Sequence, residues 1–427
     1  MTIDGVVSVP GDKSISHRAL MLAAVATGES RIRGILTGED CRSTASVLRA
    51  LGCPVPDITR QGELVISSGG LSAWHEPGAP LDCGNSGTTV RLMMGLLASR
   101  PFCTSVTGDE SLRARPMRRI TDPLQAMGAT IHEHGPPDRL PVEICGGGLS
   151  TIHHDSPKAS AQIKSAILLA ALAGGVRVSV REPAQSRDHT ERMLEAMGVS
   201  VRTGPAVAGG WEVEVDPLTT PLTPLDITVP GDPSSAAFLL ALTLLARSGE
   251  LVVRGVGMNT TRTGFFDALR RMGASLEILN QQLEGGEPVG DLVIRPSSLA
   301  GIEIGADEVP AMIDEIPILA VLAARAEGVT IIRGAGELRA KETDRIAALA
   351  MNLRAIGVDV EELPDGLIIE GSDRPLSGRI LTFGDHRIAM AFGVLGQQQQ
   401  NDIDLDDRAC ADVSFPGFWK LLAELSR

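Results

Sequence analysis

Six segments of the chain are apolar on nearly every face, and each opens with small polar residues: GDKSISHRALMLAA (11–24), GNSGTTVRLMMGLLA (84–98), ASAQIKSAILLAALA (159–173), GDPSSAAFLLALTLLA (231–246), DEIPILAVLAARA (314–326) and GDHRIAMAFGVLG (384–396). A helix that is apolar all round has no face to give to water, so the pattern predicts six interior helices. A second set alternates with them: LRALGCPV, LQAMGATI, LEAMGVSV, LRRMGASL and LRAIGVDV, around Gly52, Gly128, Gly198, Gly273 and Gly357. Each reads as a helix closed by a glycine C-cap and leading into a strand. WKLLAELSR stands where a sixth copy would begin, and β-like runs such as ELVISS, RVSVRE, LVVRGV and VTIIRG fill the intervals.

The copies recur about every 70 to 85 residues, too long for a solenoid, so they read as six copies of one α/β unit. VPGDKS begins at Val9 and VPGDPS at Val229, which divides the copies into two groups of three. The Pro-rich stretch TTPLTPLDITVPGD (219–232) supplies a crossing between them. The expectation is two similar lobes, each a three-fold arrangement, with a ligand cleft between them.

Composition narrows the ligand. The 427 residues are 43% hydrophobic and 22% charged, the profile of a globular protein. A net charge of −14 argues against a nucleic-acid partner, and 3% aromatics with no Tyr leaves few stacking platforms. No basic and apolar leader opens the chain and no apolar run reaches membrane length, so a cytoplasmic protein without a membrane partner is expected. The six Cys lack a CxxC pair and are read as reduced, mostly buried thiols rather than a disulfide or zinc framework.

Charge then raises a question about the helix starts. Lys13 and Arg18, Arg91, Lys164, Arg345 and Arg387 fall within a turn or two of predicted helix N-termini, with Arg115, Arg187 and Lys341 in neighbouring clusters. A cation there opposes the helix macrodipole by about 0.3–1 kcal/mol. A bound anion would reverse that sign, because backbone N–H groups, dipole and side chain would then act together. Solvated helix faces are the competing reading for any single residue. The Gly, Ser, Asn and Gln around them favour phosphate or carboxylate for the set. GDKS is not a nucleotide loop, since Asp12 stands where GxxxxGK[ST] needs glycine. Asp314, Glu315, Glu342 and Asp344 supply carboxylates; beside fixed cations they suit proton transfer, while helix N-capping accounts equally well for Asp314 and Asp188. His132, His134, His153 and His154 lack the partners of a metal site.

The ordered set PGDKSISHR, GNSGTT-R, RPM, SAQ-K, the central DE, KETDR and GDHR-AMAF resembles the EPSP synthase family (3-phosphoshikimate 1-carboxyvinyltransferase) from about Val9 to Pro416. Its RPM-R and SAQIK forms are those of the divergent bacterial subclass. The resemblance implies an α/β, two-lobed inverse α/β barrel, each lobe three βαββαβ repeats around buried helices. The first lobe would be 10–229, and the second 1–9 with 230–427, the chain crossing twice. It implies transfer of the enolpyruvyl group of phosphoenolpyruvate to the 5-hydroxyl of shikimate 3-phosphate, by addition and elimination, without metal or organic cofactor, in a monomer. Lys13, Ser14, Arg18, Ser160, Ala161, Gln162, Arg187, Asp314 and Lys341 would hold shikimate 3-phosphate. Lys13, Asn85, Gly87, Arg115, Gln162, Arg345 and Arg387 would hold phosphoenolpyruvate. Asp314 would accept the hydroxyl proton, Glu342 would protonate the methylene carbon, and Lys13 would join them in catalysis.

Three positions depart from the commoner family pattern. Val413 stands in place of a late Lys, Glu337 in place of Asn, and Leu92 in place of Pro. These bear on affinity and on glyphosate, which targets the family: Gly87 is the residue of sensitive members, whereas Leu92 and the subclass markers lean the other way. The sister transferase acting on UDP-N-acetylglucosamine is the nearest alternative, but it needs a reactive Cys on a first-lobe loop, and none lies near RARPMRR. A non-catalytic binder of phosphorylated metabolites is the other alternative. Loss of Asp314 or Glu342 would favour it, and both are present.

Overall fold

In a computed structural model, which describes residues 1–58 and 62–426, the six all-apolar segments are helices. They are Lys13–Val25, Gly87–Leu97, Ala161–Gly174, Pro233–Leu244, Ile316–Ala323 and His386–Leu395. Almost every side chain on them is buried, polar ones included. Close contact is built into the pair Gly87–Leu97 and Ala161–Gly174, where a Cβ on Gly95 would lie 2.2 Å from the Ala166 carbonyl oxygen. Only glycine permits that approach. The amphipathic set is also present, and Gly52, Gly128, Gly198, Gly273 and Gly357 all have positive φ, between 91° and 115°. Each therefore ends its helix in the left-handed conformation that other residues avoid.

The chain divides into two units, one of residues 1–10, 230–283 and 287–427, the other of residues 11–229 and 284–286. They are called here the acidic and the basic unit, for the half-sites described below. Among the described residues each has its own hydrophobic core and three sheets. The repeat is plainest in the basic unit: strand Ile152–Asp155, helix Ala161–Gly174, strand Val178–Glu182, helix His189–Ala196, then the strands Val201–Pro205 and Trp211–Val215. The first two strands are parallel, and the last two form an antiparallel hairpin whose second strand joins the sheet. The observed order is thus β-α-β-α-β-β rather than the expected βαββαβ. Both helices serve as crossovers between parallel strands, and the tight turn comes last. Among the described residues, none of the six sheets closes on itself. Two to four strands are too few to close a barrel, so the sheets of the expected inverse barrel are open ones.

Two strands are exchanged between the units. Thr2–Ser8 precedes helix Lys13–Val25 in sequence, yet it pairs in parallel with Ser248–Gly257 of the acidic unit. Asp226–Thr228 precedes helix Pro233–Leu244, yet it pairs in parallel with Thr27–Arg33 of the basic unit.

The cysteines correct one expectation. Cys103 and Cys145 are directly opposed on neighbouring antiparallel strands and are disulfide-bonded. Their 42-residue separation gives no hint of that register. The other four are buried, and burial pushes the Cys83 and Cys410 thiols up to about 12. Among the described residues no helix is long and apolar enough to cross a membrane.

Candidate active site

In the basic unit, the start of helix Lys13–Val25 organises the first cluster. Asp12, the residue that spoils the nucleotide loop, caps the helix by accepting from the Ile15 N–H at 2.8 Å. Lys13 is the first helical residue, and its Nζ lies 2.6 Å from Asp40 Oδ2. Arg18 is buried, and its guanidinium donates to Thr190 Oγ1 and Ser165 Oγ, each at 2.7 Å, and to the Ser14 carbonyl at 3.0 Å. Arg187 Nη1 donates to Ser14 Oγ at 3.5 Å. Ser160 precedes helix Ala161–Gly174 without capping it by its side chain, and its N–H donates to Glu182 Oε1 at 2.7 Å. Ser14 and Arg18 on one helix thus meet Arg187 from a distant segment, while Ser160 opens the helix whose Ser165 also holds Arg18. His17 faces away and bonds Thr44 Oγ1 through Nδ1 at 2.7 Å. Burial, helped by the Lys13 and Arg18 charges, brings its pKa down to about 3, so it stays neutral.

A second cluster surrounds Gly87, the first residue of its helix, where Ser86 is the cap. Arg91 Nη1 donates to Gln162 Oε1 and Arg115 Nη2 to Asn85 Oδ1, both at 2.6 Å, and Asn85 Nδ2 in turn donates to Asp109. A Cβ on Gly87 would lie 3.0 Å from Arg91 Nη1 and 3.2 Å from Arg115 Nη1. Two guanidiniums thus flank a glycine at a helix N-terminus, an arrangement suited to an anionic group. Leu92, one residue beyond Arg91, is fully buried in the core.

Lys164 is a correction to the set of helix-start cations. Its ammonium is enclosed between Glu182 Oε2 at 3.1 Å and Glu191 Oε1 at 2.8 Å, and it donates to the Ser186 carbonyl. Burial works against its charge, but the two carboxylates outweigh that and hold its pKa above the ordinary value; burial also pushes Glu191 up. It is an internal tie between the segments that carry Ser160 and Arg187.

In the acidic unit, Asp314 lies in the 3-10 turn Ile313–Glu315 ahead of helix Ile316–Ala323. It is not a side-chain cap there; nor is Asp188, which accepts from Arg192 Nε at 2.9 Å. Asp314 instead meets three cations: Lys341 Nζ at 3.3 Å, Arg345 Nη1 at 3.5 Å and Arg387 Nη2 at 3.9 Å. Arg387 Nη1 also donates to the Asp314 carbonyl at 2.8 Å. Arg345, 1% exposed, reaches Glu342 Oε2 at 2.6 Å and Asp385 Oδ2 at 2.7 Å. Burial opposes the Arg345 charge, and Asp385, Glu342 and Asp314 more than offset it, so its pKa is raised. Asp344 and Asp385 cap the helices Arg345–Ala355 and His386–Leu395. One guanidinium therefore touches three carboxylates, of which Asp385 caps a helix while Asp314 and Glu342 are set as a proton acceptor and a proton donor would need to be.

Sequence reasoning missed Asp40, Glu182 and Asp385 as the partners that fix these cations. Asp385 follows Gly384 in a quoted motif, and its capping position was a usable signal; Asp40 and Glu182 carried none.

The model of the family described as EPSP synthase (3-phosphoshikimate 1-carboxyvinyltransferase) matches residues 1–422. A 3-phosphoshikimate 1-carboxyvinyltransferase of Geobacter metallireducens is 48% identical over 99% of this chain and 97% of its own length. One of Alkaliphilus metalliredigens is 48% identical over 100% and 98%. Among solved structures, an EPSP synthase from Acinetobacter baumannii superposes with a TM-score of 0.86 at 41% identity, covering 99% of this chain and 96% of that one. The enolpyruvyl transferase NikO from Streptomyces tendae, at 19% identity and a TM-score of 0.78 over 99% and 95%, shares the fold.

Proposed function

The chain belongs to the EPSP synthase family, and from that premise we propose that the residues gathered in these clusters bind the two substrates of an enolpyruvyl transfer and move its protons. The reaction moves the enolpyruvyl group of phosphoenolpyruvate to the 5-hydroxyl of shikimate 3-phosphate and releases phosphate, a step of the shikimate pathway. Ser14, Arg18, Ser160, Ala161, Gln162 and Arg187 hold shikimate 3-phosphate, with Lys13 and Lys341 beside it. Asn85, Gly87, Arg115, Gln162, Arg345 and Arg387 hold phosphoenolpyruvate, and Lys13 contacts both substrates and assists the chemistry. Asp314 takes the proton of the 5-hydroxyl as that oxygen bonds to the enol carbon, and Glu342 delivers a proton to the methylene carbon. In the second half, the same methyl carbon loses a proton as the carbon–oxygen bond to phosphate breaks.

The observation that carries this reading is Arg345, whose guanidinium contacts both Asp314 and Glu342. The fixed cations stabilise charge on the tetrahedral intermediate, and the proposed steps need only these side chains. The proposal extends to a monomer acting in the cytoplasm. Phosphate release is expected when both substrates are supplied without added metal. Silence with that pair, or turnover with UDP-N-acetylglucosamine in place of shikimate 3-phosphate, would refute it.

A further inference from the structure

Asp314 has a neighbour that the proton-transfer scheme does not use. Glu315 lies in the same 3-10 turn and is 1% exposed. Its Oε1 accepts a hydrogen bond from Ser234 Oγ, and lies 3.8 Å from Arg262 Nη2 and 3.9 Å from Arg387 Nη1. Arg262, itself buried, donates to Ser234 Oγ at 2.8 Å and to Asp232 Oδ1 at 3.2 Å. Asp232 caps helix Pro233–Leu244. Glu315 thus joins the start of that helix to Arg387.

The internal repeat says what kind of position this is. VPGDPS (229–234) aligns with VPGDKS (9–14), so Ser234 corresponds to Ser14, where the proposed function puts a substrate anion. In the acidic unit the matching helix N-terminus is filled by a carboxylate of the chain itself. As a stability device the arrangement is poor, because the second carboxylate oxygen, Oε2, is buried without a hydrogen-bond partner among the described residues. As a clamp it is well placed: Arg387 Nη1 faces Glu315 on one side and donates to the Asp314 carbonyl on the other.

We propose that Glu315, backed by Ser234 and Arg262, is a positioning residue for the enolpyruvyl transfer: it orients the Arg387 guanidinium toward phosphoenolpyruvate and steadies the turn that presents Asp314. This rests on the assignment of Arg387 to phosphoenolpyruvate. The test is steady-state kinetics of Glu315→Gln, Arg387→Lys and the double variant, with thermal midpoints measured alongside. Glu315→Gln is expected to raise the KM for phosphoenolpyruvate roughly tenfold, and to leave that for shikimate 3-phosphate within about twofold. The double variant should be no worse than Arg387→Lys alone, the sign that both act through one contact. A Glu315→Gln enzyme with a shifted midpoint but unchanged KM and kcat would overturn the proposal, as would additive effects. Should Glu315→Gln fail to fold, Ser234→Ala removes the same hydrogen bond more gently; a phosphoenolpyruvate KM raised a few-fold supports the clamp, and an unchanged one overturns it. An Arg387→Lys enzyme with unaltered phosphoenolpyruvate KM would defeat the underlying assignment, and the clamp with it, whereas failure of Glu315→Gln alone defeats only the clamp.

Discussion

In the basic unit Arg18, Arg91 and Arg115 donate to hydroxyl, carbonyl and amide oxygens, whereas in the acidic unit Lys341, Arg345 and Arg387 lie against carboxylates. Both begin from a helix N-terminus with a cation on it. A neutral dipole orients a guanidinium without neutralising it. A guanidinium held by carboxylates yields much of its charge to them, and fixes them in return. Lys13 and Lys164 in the basic unit also lie against carboxylates, and Lys13 is the one of the two that the proposed scheme draws into chemistry. The difference teaches that a basic residue near a helix start is defined by its partners: neutral groups orient it, and carboxylates are in turn fixed by it.

The comparison breaks first at the carboxylates. Asp314→Asn or Glu342→Gln is expected to lower kcat by roughly 10²–10⁴-fold, as loss of an acid or base does, while calorimetric affinity for shikimate 3-phosphate changes little. A large loss of affinity with kcat kept would reverse the division of labour. Next comes Arg18→Gln, which removes charge-assisted bonds of about 1.5–3 kcal/mol each. Shikimate 3-phosphate should bind roughly ten- to a hundredfold more weakly in titration calorimetry. Gly87→Ala is gentler: its methyl group must displace Arg91 and Arg115 by tenths of an ångström. The KM for phosphoenolpyruvate should rise by about fivefold, near 1 kcal/mol, without a matching change for the other substrate.

The smallest effect tests whether His17 adds to the positive charge of the basic unit. Its folded pKa of about 3 lies below the ordinary 6.5, so the unfolded chain takes up a proton that the folded one refuses. Stability is therefore lost as pH falls from 6.5 toward 3. Between pH 7 and 5.5 His17 should account for about 1 kcal/mol of that loss, absent in His17→Gln, when urea midpoints are compared. Equal slopes would mean that His17 is charged in the fold.

How much of this could be read in advance depended on distance along the chain. The buried helices and the glycine caps at Gly52, Gly128, Gly198, Gly273 and Gly357 were legible because burial pattern and cap are local signals. The unit boundary between 229 and 230 falls beside the prolines of 219–232. The repeat order was not legible, since hairpin and crossover strands look alike in composition, and the Cys103–Cys145 bond depends on a strand register that spacing does not encode. In the half-sites, motifs marked the cations, but their partners come from afar. Thr190 lies 172 residues from Arg18, Asp385 lies 40 from Arg345, and Glu315 reaches Ser234 across 81. Lys164 shows the same limit: a cation at a helix start, yet turned inward to two glutamates.

The exchanged strand Thr2–Ser8 sets a timetable for synthesis. Its pairing partner begins at Ser248, 246 positions later, so at about 5–20 residues per second the strand waits roughly 12–50 s on the ribosome with its edge exposed. In that interval residues 11–229 emerge whole, with Asp226–Thr228 arriving last to complete their first sheet. The nascent chain thus holds all of the basic unit but residues 284–286 before strand Thr2–Ser8 can find its partner, and a holdase or prompt masking of Thr2–Ser8 would protect it from pairing with another chain.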